Sequence, residues 1–142
     1  MAYDLSRFLD AQKNSYQRAL DEMKAGRKRT HWIWYIFPQL KQLGKSRIAA
    51  YYGIENFDEA KAYLADETLR CRLIEVSQAV LELPETNITY IMGGHPDDFK
   101  LCSCMTLFHL ADPTCEVFKK VLDKYFGGKL DEKTVKLCNE NF

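Results

Sequence analysis

Thr30-His31-Trp32-Ile33-Trp34-Tyr35-Ile36-Phe37 is the stretch on which the fold class turns. Its β-branched and aromatic content suits a strand, while Thr30 is a residue type that caps helices and Pro38 ends either element. A strand must pair its backbone N–H and C=O groups, and nothing elsewhere in the chain reads as a partner strand. The stretch is therefore expected to be a short helix in an all-α protein.

Working outward, the segment before it repeats Leu5, Phe8, Leu9, Tyr16, Ala19, Leu20 and Met23 at helical spacing, which predicts a helix over about Asp4 to Ala25 closed by Gly26. On the other side, Lys45 to Tyr52 predicts a short helix ended by Gly53. Asn56 and Asp66 predict caps for two further helices, the second running to Pro84 with Leu69, Leu73, Val76 and Val80 on one face. Asn87 to Met92 is a short apolar piece before Gly93-Gly94. Asp97 is expected to cap a helix from Phe99 to about Ala111 that is apolar nearly all round, as a central, surrounded helix is. Asp112-Pro113 predicts the start of the next helix, Gly127-Gly128 its end, and Leu130-Asp131 the start of the last. The expectation is one compact all-α domain over residues 1–142, with about seven or eight helices and that central helix largely buried.

The composition agrees with a globular chain. Apolar residues make up 46% and charged residues 28%, which excludes disordered and collagen-like classes. Twenty cations balance 20 acids, so no net charge draws the whole molecule to nucleic acid or to an anionic membrane. No run of about 18 apolar residues is present, and the first residues lack the apolar block of a secretory signal, so the chain reads as cytoplasmic and without membrane attachment. Five cysteines, an odd number and scattered, read as free and mostly buried thiols.

Charge is nonetheless segregated along the chain. Lys24, Arg27, Lys28, Arg29, Lys41, Lys45 and Arg47 lie in a stretch that contains no acid, and His31, Trp32, Trp34, Tyr35, Phe37 and Gln39 lie among them. Cations beside flat rings and an amide are the groups that hold a phosphate next to a planar ring. The bland alternative places both tryptophans in the core and leaves the basic loop merely solvated.

Other chemistry has less support. Cys102 and Cys104, two residues apart on a helix, face opposite ways and cannot share a tetrahedral ion, so no metal site and no cofactor are expected. Cys102, Thr106 and His109 share one face, a spacing open to a Cys/His pair but more simply read as a buried thiol near a histidine. Lys100 is one turn from Ser103 and one turn from Asp97, and pairing with Asp97 is the simpler arrangement. No P-loop, GxGxxG, HExxH or GxSxG pattern occurs.

Phe8, Ala11-Gln12, Tyr16, Gly26 and Lys28, then His31 to Leu40, Leu43-Gly44 and Ser46, resemble the uncharacterised bacterial family catalogued as domain of unknown function 1810. Tyr52-Gly53-Ile54, Ala62-Tyr63-Leu64, Arg72-Leu73, Asp97, Lys100-Leu101, Ser103 and Met105 to Phe108 continue the match in order. The chain departs from the pattern at Asp66 to Arg70, where the family tends to read His-Pro-x-Leu-Gly, and at Cys104, where it tends to have a second serine. The resemblance implies a compact helical domain without an established activity. If its two blocks meet in space, Lys28, His31, Trp34 and Gln39 form one wall of a polar cleft and Lys100, Ser103 and Thr106 the other.

The functional expectation is a cleft for an anionic, partly planar small molecule such as a nucleotide or an ADP-ribose derivative. Arg27, Lys28 and Lys100 would take the phosphate, Trp32 or Trp34 the ring, and His31 any acid–base step. The alternative is a nucleic-acid or protein interaction module that uses segment 24–47 without catalysis.

Overall fold

The first helix, α1 (Ser6–Ala25), stops where Gly26 turns left-handed (φ 91°), which brings the Gly26 and Arg27 N–H groups onto carbonyls of the last turn. In the computed structural model, which describes residues 3–140, the chain continues as α2 (Ile33–Ile36), a 3-10 turn (Lys41–Leu43), α3 (Arg47–Tyr52), α4 (Phe57–Ala65) and α5 (Glu67–Leu81). It ends as α6 (Ile88–Ile91), α7 (Asp97–Ala111), α8 (Glu116–Phe126) and α9 (Glu132–Asn139). The fold class is all-α. Nine α-helices among the described residues exceed the seven or eight expected because several are single turns.

Polar residues at the helix starts explain most boundaries. Ser46, Asn56, Asp66, Asn87 and Asp131 precede α3, α4, α5, α6 and α9, and each side-chain oxygen accepts the backbone N–H three residues on. Three expected caps do not form. Thr30 gives its hydroxyl to Glu22 at 2.7 Å, so the helix after it shrinks to the single turn of α2. Asp97 lies inside α7, where its carboxylate pairs with lysines instead of capping. Asp112 accepts from the N–H and hydroxyl of Thr114, closing a turn, and α8 begins only at Glu116.

Beyond Pro38 the backbone does find a partner: the Lys41 N–H reaches Ile54 O and the Ile54 N–H reaches Gln39 O, both at 2.9 Å. This is an isolated parallel bridge between Leu40 and Ile54, with no sheet around it among the described residues.

α7 is the central element and packs against α4, α6, α8 and α9. Leu101, Cys104, Met105, Leu107 and Phe108 on it are fully buried. A line of rings crosses the core from Phe8 through Tyr63 and Phe108 to Phe118, joining α1, α4, α7 and α8 at centroid spacings of 5.1, 5.1 and 6.1 Å. Phe99 departs from the expected all-round burial: it is 62% exposed at the start of α7.

Two polar groups within this core are fully engaged. Buried Gln12 donates to Tyr35 O at 2.7 Å and to the Tyr63 hydroxyl at 3.2 Å, and it accepts from Arg72. Arg7 grips buried Glu59 through both terminal guanidinium nitrogens and also holds Gly53 O, tying α1 to α4. No helix among the described residues is long and apolar enough to cross a membrane.

Candidate functional site

The basic segment and the start of α7 meet. The Lys28 N–H donates to Ile91 O at 2.6 Å, and Gly93 (φ 78°) lies so close that a Cβ there would fall 2.9 Å from Lys28 O. Only glycine permits both that approach and that backbone angle. The juxtaposition then continues through side chains. Lys28 Nζ is 2.9 Å from Asp97 Oδ2, Lys100 Nζ is 3.8 Å from Asp97 Oδ1, and Lys100 Nζ sits 5.4 Å from the Trp34 ring centre. The expected Lys100–Asp97 pairing is thus present.

Several residues expected to bind ligand are occupied in building this junction. Trp32 is 1% exposed, and its indole N–H donates to Glu22 Oε1 at 2.9 Å. Glu22 also accepts the Arg29 and Thr30 N–H groups and the Thr30 hydroxyl. Partial burial opposes its ionisation, but these hydrogen bonds outweigh that cost and bring the Glu22 carboxyl down to about 2. Lys28 is 7% exposed, with its ammonium between Asp97 and the Trp32 face. Arg27 lies over the Tyr90 ring, 4.4 Å from its centre. Thr106 is fully buried and accepts the Asp131 N–H at 2.9 Å, so it anchors the start of α9. His31 is exposed and does not line the cleft described next.

The cleft holds about 430 Å³ between the loop that follows the 3-10 turn and the first turns of α7. Gln39, Lys100 and Ser103 line it, together with Lys45, Ser46, Phe99, Asp131 and Lys133. Three lysines thus face one carboxylate, and that carboxylate is already held by the N–H and hydroxyl of Thr134. Gly44 lies flat on α3, where a Cβ would come 2.4 Å from that of Ala49. Trp34 stands behind the cleft in a narrow crevice that shares Gln39 and Lys100 with it. Lys45 belongs to the basic stretch of the sequence, whereas Phe99 and Lys133 escaped the sequence reading: periodicity put Phe99 in the core, and Lys133 belongs to a helix distant along the chain. A larger groove, about 700 Å³, runs along the outer face of α5, but Lys24, Arg70, Glu75 and Glu82 along it mix both signs of charge.

Nucleophilic cysteine chemistry is disfavoured by the surroundings of the thiols. Burial, with Asp131 adding to it, pushes Cys102 up to about 11, and burial also raises Cys104 well above its ordinary value. Ser103 gives its hydroxyl to Phe99 O at 3.2 Å, so it is not aimed at Lys100. Of the five free cysteines only Cys104 is fully buried and only Cys71 is exposed, so the expectation of mostly buried thiols gives way to graded exposure. Native protein is expected to show one fast-reacting thiol per chain with Ellman's reagent, lost in Cys71→Ser. Two or more fast thiols would contradict this account of the half-buried cysteines. Among the described residues no cluster of three or more His, Cys, Asp or Glu side chains is arranged to hold a metal ion.

Comparison with known proteins places these features in a family. No protein of curated function is significantly similar to the chain. The crystal structure of the conserved hypothetical protein Rv1873 from Mycobacterium tuberculosis is 45% identical, with a TM-score of 0.95 over 98% of this chain and 99% of that one. The pattern of the family described as "Protein of unknown function (DUF1810)" matches residues 2–138, nearly the whole length, and the chain belongs to that family.

Proposed function

We propose that the cleft between the 39–46 loop and the start of α7 binds a small phosphorylated molecule that carries a flat ring, such as a nucleotide or an ADP-ribose derivative. The observation that carries this reading is the convergence of Lys45, Lys100 and Lys133 on a concavity whose single carboxylate is already engaged. Cations in a concave site attract phosphate more strongly than the same cations on an open face. The Gln39 amide and the Ser46 hydroxyl supply neutral donors, and exposed Phe99 offers a face for the ring. A cytoplasmic setting suits the five free thiols.

The interaction-module alternative needs an open positive aromatic face along 24–47. Trp32 at 1% and Lys28 at 7% exposure are poorly placed to provide one, and the cleft reading is preferred on that ground.

Thermal unfolding against adenosine monophosphate, ADP-ribose, sugar phosphates and short single-stranded RNA tests the proposal. A ligand at about 100 times its dissociation constant adds about 2.7 kcal/mol to the stability of the native state. A small phosphate compound is expected to raise the midpoint, and Lys100→Ala or Phe99→Ala is expected to weaken its binding about tenfold or more while leaving the fold intact. Stabilisation by RNA alone, undiminished in Lys100→Ala, would favour the interaction module.

A further inference from the structure

His95 lies where the loop after α6 enters α7, in surroundings unlike those of the other two histidines. Its Nδ1 is 2.8 Å from Asp98 Oδ1, and the Asp98 side chain is 3% exposed. Asp98 also accepts the Thr89 hydroxyl on Oδ2 at 2.7 Å and the Phe99 N–H on Oδ1 at 2.9 Å. With two donors already on it, the buried carboxylate is an acceptor toward the imidazole as well, which in the neutral ring places the proton on Nδ1 and a lone pair on Nε2. The His95 side chain is 61% exposed, and Nε2 makes no hydrogen bond among the described residues. His95 does not itself line the cleft, but its ring packs on Phe99 with centroids 4.8 Å apart, and Phe99 and the adjacent Pro96 do belong to the cleft wall. Among the described residues His31, by contrast, has no side-chain partner that orients it, and His109 has a buried Nδ1 without one.

We infer that His95 and Asp98 form a general-base dyad beside the lysine-lined cleft, behind its Phe99 wall, acting on a phosphodiester that extends from it. The inference rests on the cleft being a phosphate site. Water is the nucleophile, because the Ser103 hydroxyl is donated to Phe99 O and the Cys102 thiol is held protonated. As the water oxygen bonds to phosphorus, His95 Nε2 takes its proton. The P–O bond to the leaving oxygen, on the side opposite the incoming one, then breaks; that oxygen departs with the electron pair and takes its proton from solvent, while the imidazolium releases its own proton to solvent. The products are a phosphomonoester and an alcohol. Lys45, Lys100 and Lys133 offset the charge on the non-bridging oxygens. A diester, with one negative charge, repels the incoming oxygen less than a dianionic monoester does. Asp98 is a positioning residue: it holds the imidazole in the tautomer that leaves Nε2 free, and Thr89 holds Asp98.

Bis(p-nitrophenyl) phosphate, a diester with flat rings, is the probe, and nitrophenolate release is the readout. The protein is expected to turn it over. His95→Gln should lower kcat about 100-fold or more, with little change in KM, because general-base catalysis contributes about 10²–10⁴-fold. In His95→Ala, added imidazole should restore part of the rate. Asp98→Asn should lower kcat with KM unchanged, a split that a simple loss of folded protein does not produce. A His95→Gln rate equal to that of the unaltered chain, or a probe that stabilises the protein without being cleaved, would overturn the dyad and leave the cleft proposal standing. A probe that neither stabilises the protein nor reacts would overturn both.

Discussion

Glu22→Ala is expected to lower the unfolding free energy by about 3 kcal/mol, a drop of about 10 °C in Tm for a chain of this size. The carboxylate accepts four hydrogen bonds: two from backbone N–H groups, one from the Thr30 hydroxyl and one from the Trp32 indole. Alanine removes all four and leaves the indole N–H in a core position without a partner, and an unsatisfied buried donor costs more than the hydrogen bond itself contributes. Glu22→Gln keeps one acceptor oxygen and should recover roughly half of the loss. The carboxyl also carries a pH signature. Its folded value, about 2, lies below its ordinary 4.5, so its stabilisation is fully present above that ordinary value and is lost as pH falls through the folded one. Urea unfolding between about pH 5 and pH 2 should therefore lose stability more gently in Glu22→Gln than in the unaltered chain. An equal slope in the two would show that Glu22 does not organise the basic segment.

Asp97→Ala should cost about 3–5 kcal/mol, because it leaves the buried Lys28 ammonium without its carboxylate. Lys28→Met alone removes the buried charge and leaves Asp97 facing Lys100, so its cost should be smaller. The double variant Lys28→Met/Asp97→Ala should be more stable than Asp97→Ala alone, since an apolar side chain of similar length tolerates the site next to Trp32. Additive losses in the double variant would mean that the two residues do not act as a pair. Lys28→Met also separates architecture from binding: ligand affinity at the cleft should survive it and fall in Lys100→Ala.

These two residues show how the sequence misleads about a site while being informative about a fold. Caps, glycine stops and apolar periodicity are local, and the helices they announce at Ser6–Ala25, Phe57–Ala65, Glu67–Leu81 and Glu132–Asn139 appear nearly where expected. The absence of acids between Lys24 and Arg47 is local too, but its meaning is not. Glu22 and Asp97, one just before the segment and one far along the chain, fold onto it and absorb Trp32 and Lys28 into structure. What remains for a ligand is the part these acids do not reach: Gln39, Lys45 and Lys100, joined by Lys133 from α9. Phe99 carries an apolar side chain on a helix that is apolar nearly all round, and only the packing of α7 reveals that this side chain projects into solvent. His95 and Asp98 are three residues apart and visible in the sequence. Their pairing depends on Asp98 being buried beneath Thr89, which spacing alone does not convey.

The most direct test of the cleft is an amide chemical-shift titration with adenosine monophosphate. Shifts confined to Gln39, Gly44 to Ser46, Phe99 to Ser103 and Lys133, and abolished in Lys100→Ala, are the predicted result. Shifts confined to the α5 groove around Arg70 and Glu82, or none at the cleft at millimolar ligand, would contradict it.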